Sequence, residues 1–125
     1  MTLVDASSWI EFLRGRESEP GRRVKALLAR GAAAWCDLTL VELWNGAQGR
    51  TEKAALEELE SELPLYPINE AVWFAARRLA RRCREKGVTA PSVDIVIAAC
   101  AVQHALDVEH NDNHFDKILP IAVKL

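Results

Sequence analysis

The sequence lacks the means for a disulfide framework or a cysteine-bound metal. Its three cysteines, Cys36, Cys83 and Cys100, are odd in number, and none stands in a CxxC or comparable ligand spacing. Reduced thiols with packing roles, in a cytosolic (cytoplasmic) protein, are the expectation. Long hydrophobic runs are missing as well. The longest strictly apolar stretch, Ile95 to Val102, falls far short of the ~20 residues that a membrane-spanning helix needs. The opening MTLVDASSWIEFL carries an acid at position 5, without a basic leading stretch or a small-residue cleavage site, and does not read as a secretory signal. Nor is there an excess of positive charge. A formal net charge of −2 does not suggest a chain that coats itself with nucleic acid, yet it leaves room for basic residues gathered away from an acidic site. Glycine and proline number only 6 and 5, which excludes collagen-like and low-complexity architectures.

What is present is an ordinary globular composition. The 125 residues are 50% hydrophobic and 27% charged, enough for one domain, 1–125, with a core of its own. TLVDA (2–6) reads as a short buried strand. SSWIEFLRG follows as a helix, with Ser8 and Glu11 in capping-box spacing and Gly15 closing it. VKALLARG (24–31) is a second helical piece, and AAAWCDL (32–38) is the next strand. It leads into TLVELWNGAQG, where Thr39 and Glu42 repeat the box spacing. EKAALEELESEL (52–63) is a helix with Ala55, Leu56, Leu59 and Leu63 on its apolar face. LYPI (65–68) reads as a short strand, and Asn69 caps a long helix that ends at Gly87. After VTAPS come an apolar helix (93–105), the strand and turn LDVEHND, then FDKI and a last short strand IAVKL. Strands and helices alternate, which predicts an α/β domain with a mainly parallel sheet and helices on both faces.

Four acids stand at comparable junctions. Asp5 ends the first strand, Glu42 lies in the first turn after the second, Asp94 opens the apolar helix, and Asp112 follows the strand DVEH. In a parallel sheet the carboxyl ends of strands and the starts of the next helices share one edge, where open α/β folds place their sites. Each acid also has a plainer role. Glu42 completes a box with Thr39, Asp94 complements the dipole of its helix near Ser92, and Asp112 serves as a turn residue. Asp5, at the end of a buried strand, has no capping duty on this reading. If the four converge, their mutual repulsion calls for cations, and hard divalent ions with oxygen ligands answer it. The chemistry implied is phosphodiester hydrolysis by metal-activated water, without a serine nucleophile or a histidine base.

LVDASSWIEFLRG, TLVELWNGA, APSVDIVIAACA and HNDNHFDKI, taken together and in order, resemble a PIN-domain ribonuclease, specifically a VapC-type toxin of a type II toxin–antitoxin pair. The resemblance spans essentially the whole chain, and its last motif is the loosest. It implies a three-layer α/β/α sandwich with a mainly parallel central sheet, and an endoribonuclease dependent on Mg2+ or Mn2+. Asp5, Glu42, Asp94 and Asp112 match the four acids of the family's metal site. Ser7 matches a hydroxyl that supports the first acid, with helix capping as its other role. Asn111 matches a small polar position beside the last acid, and Asp116 stands between a place at the site and a surface role. The resemblance also implies an RNA substrate, a cognate VapB-type antitoxin that covers the active site, and a homodimer.

The helix 70–87 carries Arg77, Arg78, Arg81, Arg82, Arg84 and Lys86 at helical spacing. They read either as a solvated face whose stems cover apolar surface or as a phosphate track for RNA. His110 and His114 flank Asp112 and are assigned to positioning RNA rather than to the metal, since a carboxylate Mg2+ site needs no imidazole. Trp9, Trp35 and Trp73 are expected in the core, and Trp44 either in the core or lining a partner groove. Two rivals differ in class. A Mg2+-binding receiver domain would need an acidic pair after the first strand and a lysine after the last, and both are missing. An inert PIN-fold interaction module would not need all four acids.

Overall fold

The computed structural model describes residues 1–125. Three short strands, β1 (Thr2–Val4), β2 (Ala33–Ala34) and β3 (Asp107–Glu109), form a parallel sheet in the order β2-β1-β3, with Leu3 opposite Ala34 on one side and Val108 on the other. Successive residues of a strand point to opposite faces, and the central strand uses both. Leu3 joins a buried cluster with α5 (Glu70–Glu85), α6 (Ser92–Gln103) and α7 (Asn113–Ala122). Val4 joins a second cluster with α1 (Ala6–Leu13), α2 (Glu19–Ala29), α3 (Asp37–Gly46) and α4 (Gly49–Glu62). The result is the expected three-layer α/β/α sandwich.

Each layer follows from its sequence pattern. α6 is apolar on every side, and Ile95 through Ala101 are all buried. Such a helix is stable only where other elements surround it; α5 and α7 pack against it. α5 buries one stripe, Val72, Ala76, Leu79 and Cys83, and turns its arginines to solvent. On the other face Trp9 and Trp35, both fully buried, pack with ring centroids 5.1 Å apart. Gly15 and Gly87 adopt positive φ just beyond α1 and α5, the left-handed closure that glycine allows without strain. Asn69 caps α5 by accepting from the Val72 N–H at 3.1 Å. No helix is long and apolar enough to cross a membrane.

Several local expectations are corrected. LYPI forms a single parallel bridge, Trp35 to Leu65, instead of a strand. Pro64 and Pro67 have no N–H to extend the pairing. The strand expected over 32–38 is only Ala33–Ala34, because the chain enters α3 at Asp37. IAVKL is not a strand. Phe115, Ile118, Ile121 and Ala122 bury one face of α7, and the helical period prevails over the β-branched residues. Neither capping box forms. α1 is capped by Asp5, and α3 starts at Cys36–Asp37, which leaves Thr39 inside the helix with its hydroxyl 3.6 Å from the Cys36 sulfur. Trp73 is 44% exposed, one position off the buried stripe of α5. Trp44 is half-buried against the α1–α4 core, and its indole N–H donates to Glu60 of α4.

Candidate functional site

Because all three strands are parallel, their carboxyl ends lie together, and the chain leaves each of them close to an acid. Asp5 follows β1. Its N–H donates to the Glu109 carbonyl at 2.8 Å, and its carboxylate accepts from the Ser7 N–H at 3.0 Å and the Ser7 hydroxyl at 2.6 Å. Asp5 therefore does have a capping duty, contrary to the expectation, since α1 begins immediately after the strand. Ser7 is not itself the cap. Its oxygen also accepts from the Asn111 N–H at 2.9 Å, which ties the exit of β1 to the turn after β3.

Glu42 lies in the second turn of α3, not the first, and makes no hydrogen bond or ion pair within the protein. Asp94 sits in the first turn of α6, where Pro91 is the N-cap residue and Ser92 is already helical. It is only 7% exposed, and its Oδ2 has no hydrogen-bond partner. Asp112 is the N-cap of α7 and accepts from the His114 N–H at 2.9 Å.

Three of these side chains meet closely. The His114 Nδ1 stands 2.9 Å from Asp112 Oδ1 and 3.5 Å from Asp94 Oδ2. One ligand atom from each of Asp94, Asp112 and His114 lies within 4.8 Å of the others. Asp5 and Glu42 complete the group at a range where their charges are still felt.

The charges perturb one another in a consistent way. The Glu42 carboxyl remains open to solvent on one side, yet loss of water around it, with the negative charges of Asp5, Asp94, Cys36 and Asp112, pushes it up to about 7. Burial, then Asp112 and Asp5, push Asp94 up to about 6. Asp112 moves the other way. Burial opposes the change, but the bond from the His114 backbone N–H, with the imidazole beside it, holds it below the usual carboxylate range. Cys36, buried at the start of α3, is lowered to about 6, chiefly by the neighbouring Cys100 thiol.

These residues fit a divalent cation. The donors are carboxylate oxygens and one imidazole nitrogen, they repel one another without a cation between them, and a buried Asp94 oxygen is left unpartnered among them. The remaining candidates divide. Asn111 adjoins the site through its backbone. Asp116 is 69% exposed and faces the His110 Nε2 at 3.6 Å. The arginines of α5 are all exposed. Arg84 lines a groove that reaches Ile95, the neighbour of Asp94, whereas Arg78, Arg81 and Arg82 line a groove with Glu85 and Leu125. Arg77 and Arg78 lie over the exposed Phe74 ring, at 5.8 and 6.0 Å from its centroid.

Sequence reasoning missed Glu109 and the approach of His114 Nδ1 to Asp94. Glu109 accepts from the buried Ser8 hydroxyl and from Arg23 Nε, each at 2.7 Å, and so fastens β3 to α1 and α2 behind the acids. No local pattern announces it, because its partners lie 101 and 86 positions away. For His114 a signal existed in the D-x-H spacing at a helix start, which puts the ring beside the capping acid.

The sheet order, the two covering layers and the acids at the carboxyl edge define a class: a parallel α/β domain with an acidic, metal-type centre. The chain belongs to the PIN domain family, whose model matches residues 2–118, and within it to the VapC type. It is 35% identical to Ribonuclease VapC11 of Mycobacterium tuberculosis, over 98% of this chain and 94% of that one. In fold it is similar to VapBC2 from Rickettsia felis, solved bound to a promoter DNA fragment, with a TM-score of 0.77 at 14% identity over 96% and 93% of the two chains. It is likewise similar to VapBC-5 from Mycobacterium tuberculosis, a member of the VapBC family of toxin–antitoxin systems. There the TM-score is 0.68 at 24% identity, over 92% and 87% of the chains.

Proposed function

We propose that residues 1–125 form one PIN-like domain that acts as a metal-dependent endoribonuclease, the toxin of a VapBC-type pair, with Asp5, Glu42, Asp94 and Asp112 holding Mg2+ or Mn2+. The observation that carries this reading is the meeting, at one sheet edge, of acids that the chain keeps far apart, with a buried Asp94 oxygen unpartnered among them. When bound, the ion supplies the Lewis acidity that activates water and stabilises charge on the leaving oxygen of the phosphodiester.

The protein's own residues bind and orient. Ser7 aims the Asp5 carboxylate, since it donates twice to the same oxygen. The packed body of α6 keeps Asp94 from moving, and the α7 cap bond keeps Asp112 in register. Asn111 supports the turn between Ser7 and Asp112, and Asp116 acts at most through His110. Arg77, Arg78, Arg81, Arg82 and Arg84 are proposed phosphate contacts for RNA, with Arg84 lining the groove that reaches Ile95. A VapB-type antitoxin and a homodimer are the proposed protein partners, and a cytoplasmic setting follows from that role. The relatives named as ribonucleases and as VapBC assemblies support the reading.

The test is cleavage of total RNA and purified tRNA by wild type and Asp94→Asn, each with Mg2+, Mn2+ or EDTA. Discrete cuts that need both the metal and Asp94 are the expected result. A folded, antitoxin-free protein that cuts no RNA under any of these conditions would instead be an interaction module on the same fold.

A further inference from the structure

An all-carboxylate account of the centre leaves His114 without a role, and its surroundings are unusual. The side chain as a whole is 44% exposed, but its Nδ1 is shielded from solvent and makes no hydrogen bond of acceptable direction. Asp94 Oδ2, 3.5 Å away, is equally buried and equally unpartnered. Two polar atoms are thus buried facing each other with no proton bond between them, which native structures rarely tolerate without a third body. A protonated imidazole paired with Asp112 would explain the 2.9 Å approach only if its N–H pointed at the carboxylate, and it does not. A lone pair directed into the cluster accounts for both atoms.

The spacing agrees. Donor atoms at about 2.1 Å from one ion stand roughly 3 Å apart at neighbouring positions of an octahedron, and Nδ1 lies 2.9 and 3.5 Å from the two carboxylate oxygens. The bond from the His114 backbone N–H to the Asp112 carboxylate holds the main chain of this residue against the cluster. His110, by contrast, uses its Nδ1 to accept from the Asp112 N–H at 3.3 Å and turns its Nε2 toward Asp116, so it is committed elsewhere.

We propose that His114 supplies, through Nδ1, a nitrogen ligand to the divalent ion of the acidic centre, and that this donor tilts the site toward first-row transition ions such as Mn2+ and away from Mg2+. The chemistry is that of ligand type: Mg2+ takes oxygen donors and keeps its waters, whereas imidazole suits transition ions. The proposal rests on the acidic centre being a metal site, and it adds a ligand and a preference that the four acids do not supply.

The test uses metal-free full-length protein, titrated with Mn2+ and with Mg2+ by calorimetry, and pulsed electron paramagnetic resonance of the Mn2+ complex to detect a coordinated nitrogen. Wild type and His110→Ala are expected to show the nitrogen coupling. His114→Ala should lose it and bind Mn2+ at least about tenfold more weakly, as even loss of an outer-sphere partner costs 10–100-fold. Its Mg2+ affinity should change less. His114→Asp, which restores an all-oxygen set, should shift the preference toward Mg2+. Circular dichroism of each variant separates loss of a ligand from loss of fold. Mn2+ bound by wild type without nitrogen coupling, or a coupling that survives His114→Ala, overturns the proposal and leaves the metal site standing. Failure of wild type to bind Mn2+ at all removes the metal site and this ligand with it.

Discussion

The acids of the centre fall into two pairs that face opposite physical demands. Asp5 and Asp112 are helix N-caps, and their carboxylates accept from Ser7 and from the His114 N–H. Such bonds favour folding whether or not an ion is present. Glu42 and Asp94 cap nothing, Asp94 Oδ2 has no hydrogen-bond partner, and the two are pushed up to about 7 and about 6 by loss of water and like charge. A position that stabilises the fold needs no other explanation. A buried acid that the fold would be better without needs one, and Asp94 is the clearest case. The fold thus holds Asp5 and Asp112 in place by capping bonds and Asp94 by the packing around it, and leaves Glu42 open to solvent.

That contrast can be broken most sharply at Asp94. Asp94→Asn should lower RNA cleavage by about 10²-fold or more, the scale of a lost electrostatic contact at a reacting centre. The metal-free protein should melt no lower than wild type. A melting temperature well below wild type would put Asp94 with the capping pair. Next comes Asp112. Asp112→Ala should cost about 1 kcal/mol of stability from the lost cap, whereas Asp112→Asn, an equally good cap, should cost little. Both should be impaired in cleavage. Chemical denaturation of the two variants side by side separates cap from charge.

A smaller effect is expected from pH. For Glu42 and Asp94 the folded-state pKa lies above the ordinary carboxylate value, so the folded protein binds more protons than the unfolded chain between the two values. The contribution of these two groups to the stability of the metal-free protein is therefore fully present below about pH 4 and is lost as pH rises through about 6 to 7. Asp112 contributes with the opposite sign, since its folded-state value is lowered, and its share is lost at the acid end. Thermal melts from pH 4 to 8 should show the decline, and Mn2+ added near pH 8 should restore the loss. The smallest change is expected on α5. In an Asp94→Asn background, Arg84→Gln should reduce the salt dependence of RNA binding by roughly 0.7 in log–log slope, one phosphate contact on a single strand. Arg82→Gln, already paired with Glu85, should reduce it less.

Much of this was legible in the chain, and the misses share a cause. The strand–helix alternation, the apolar helix with its leading acid, and the glycine closures of α1 and α5 are local patterns, and the structure has them. The capping boxes failed because the same polar atoms took other partners, one of them far along the chain. The Ser8 hydroxyl goes to Glu109, and Thr39 turns inward to Cys36. IAVKL looked like a strand because Ile and Val favour strands, yet burial against α5 and α6 wins over that preference. Trp73 looked like core because tryptophan is large and apolar; its register on α5 decided otherwise.

By itself the sequence determined which acids stand at element junctions, and hence that a parallel sheet would bring Asp5, Glu42, Asp94 and Asp112 to one edge. Side-chain period and the geometry of parallel strands are enough for that. Only the tertiary structure decided which acids are capped and which are left unpartnered, that Glu109 fastens the edge through Ser8 and Arg23, and that His114 Nδ1 enters the cluster. Those outcomes depend on distances of a few ångströms between residues distant in the chain, and packing, not local pattern, sets such distances.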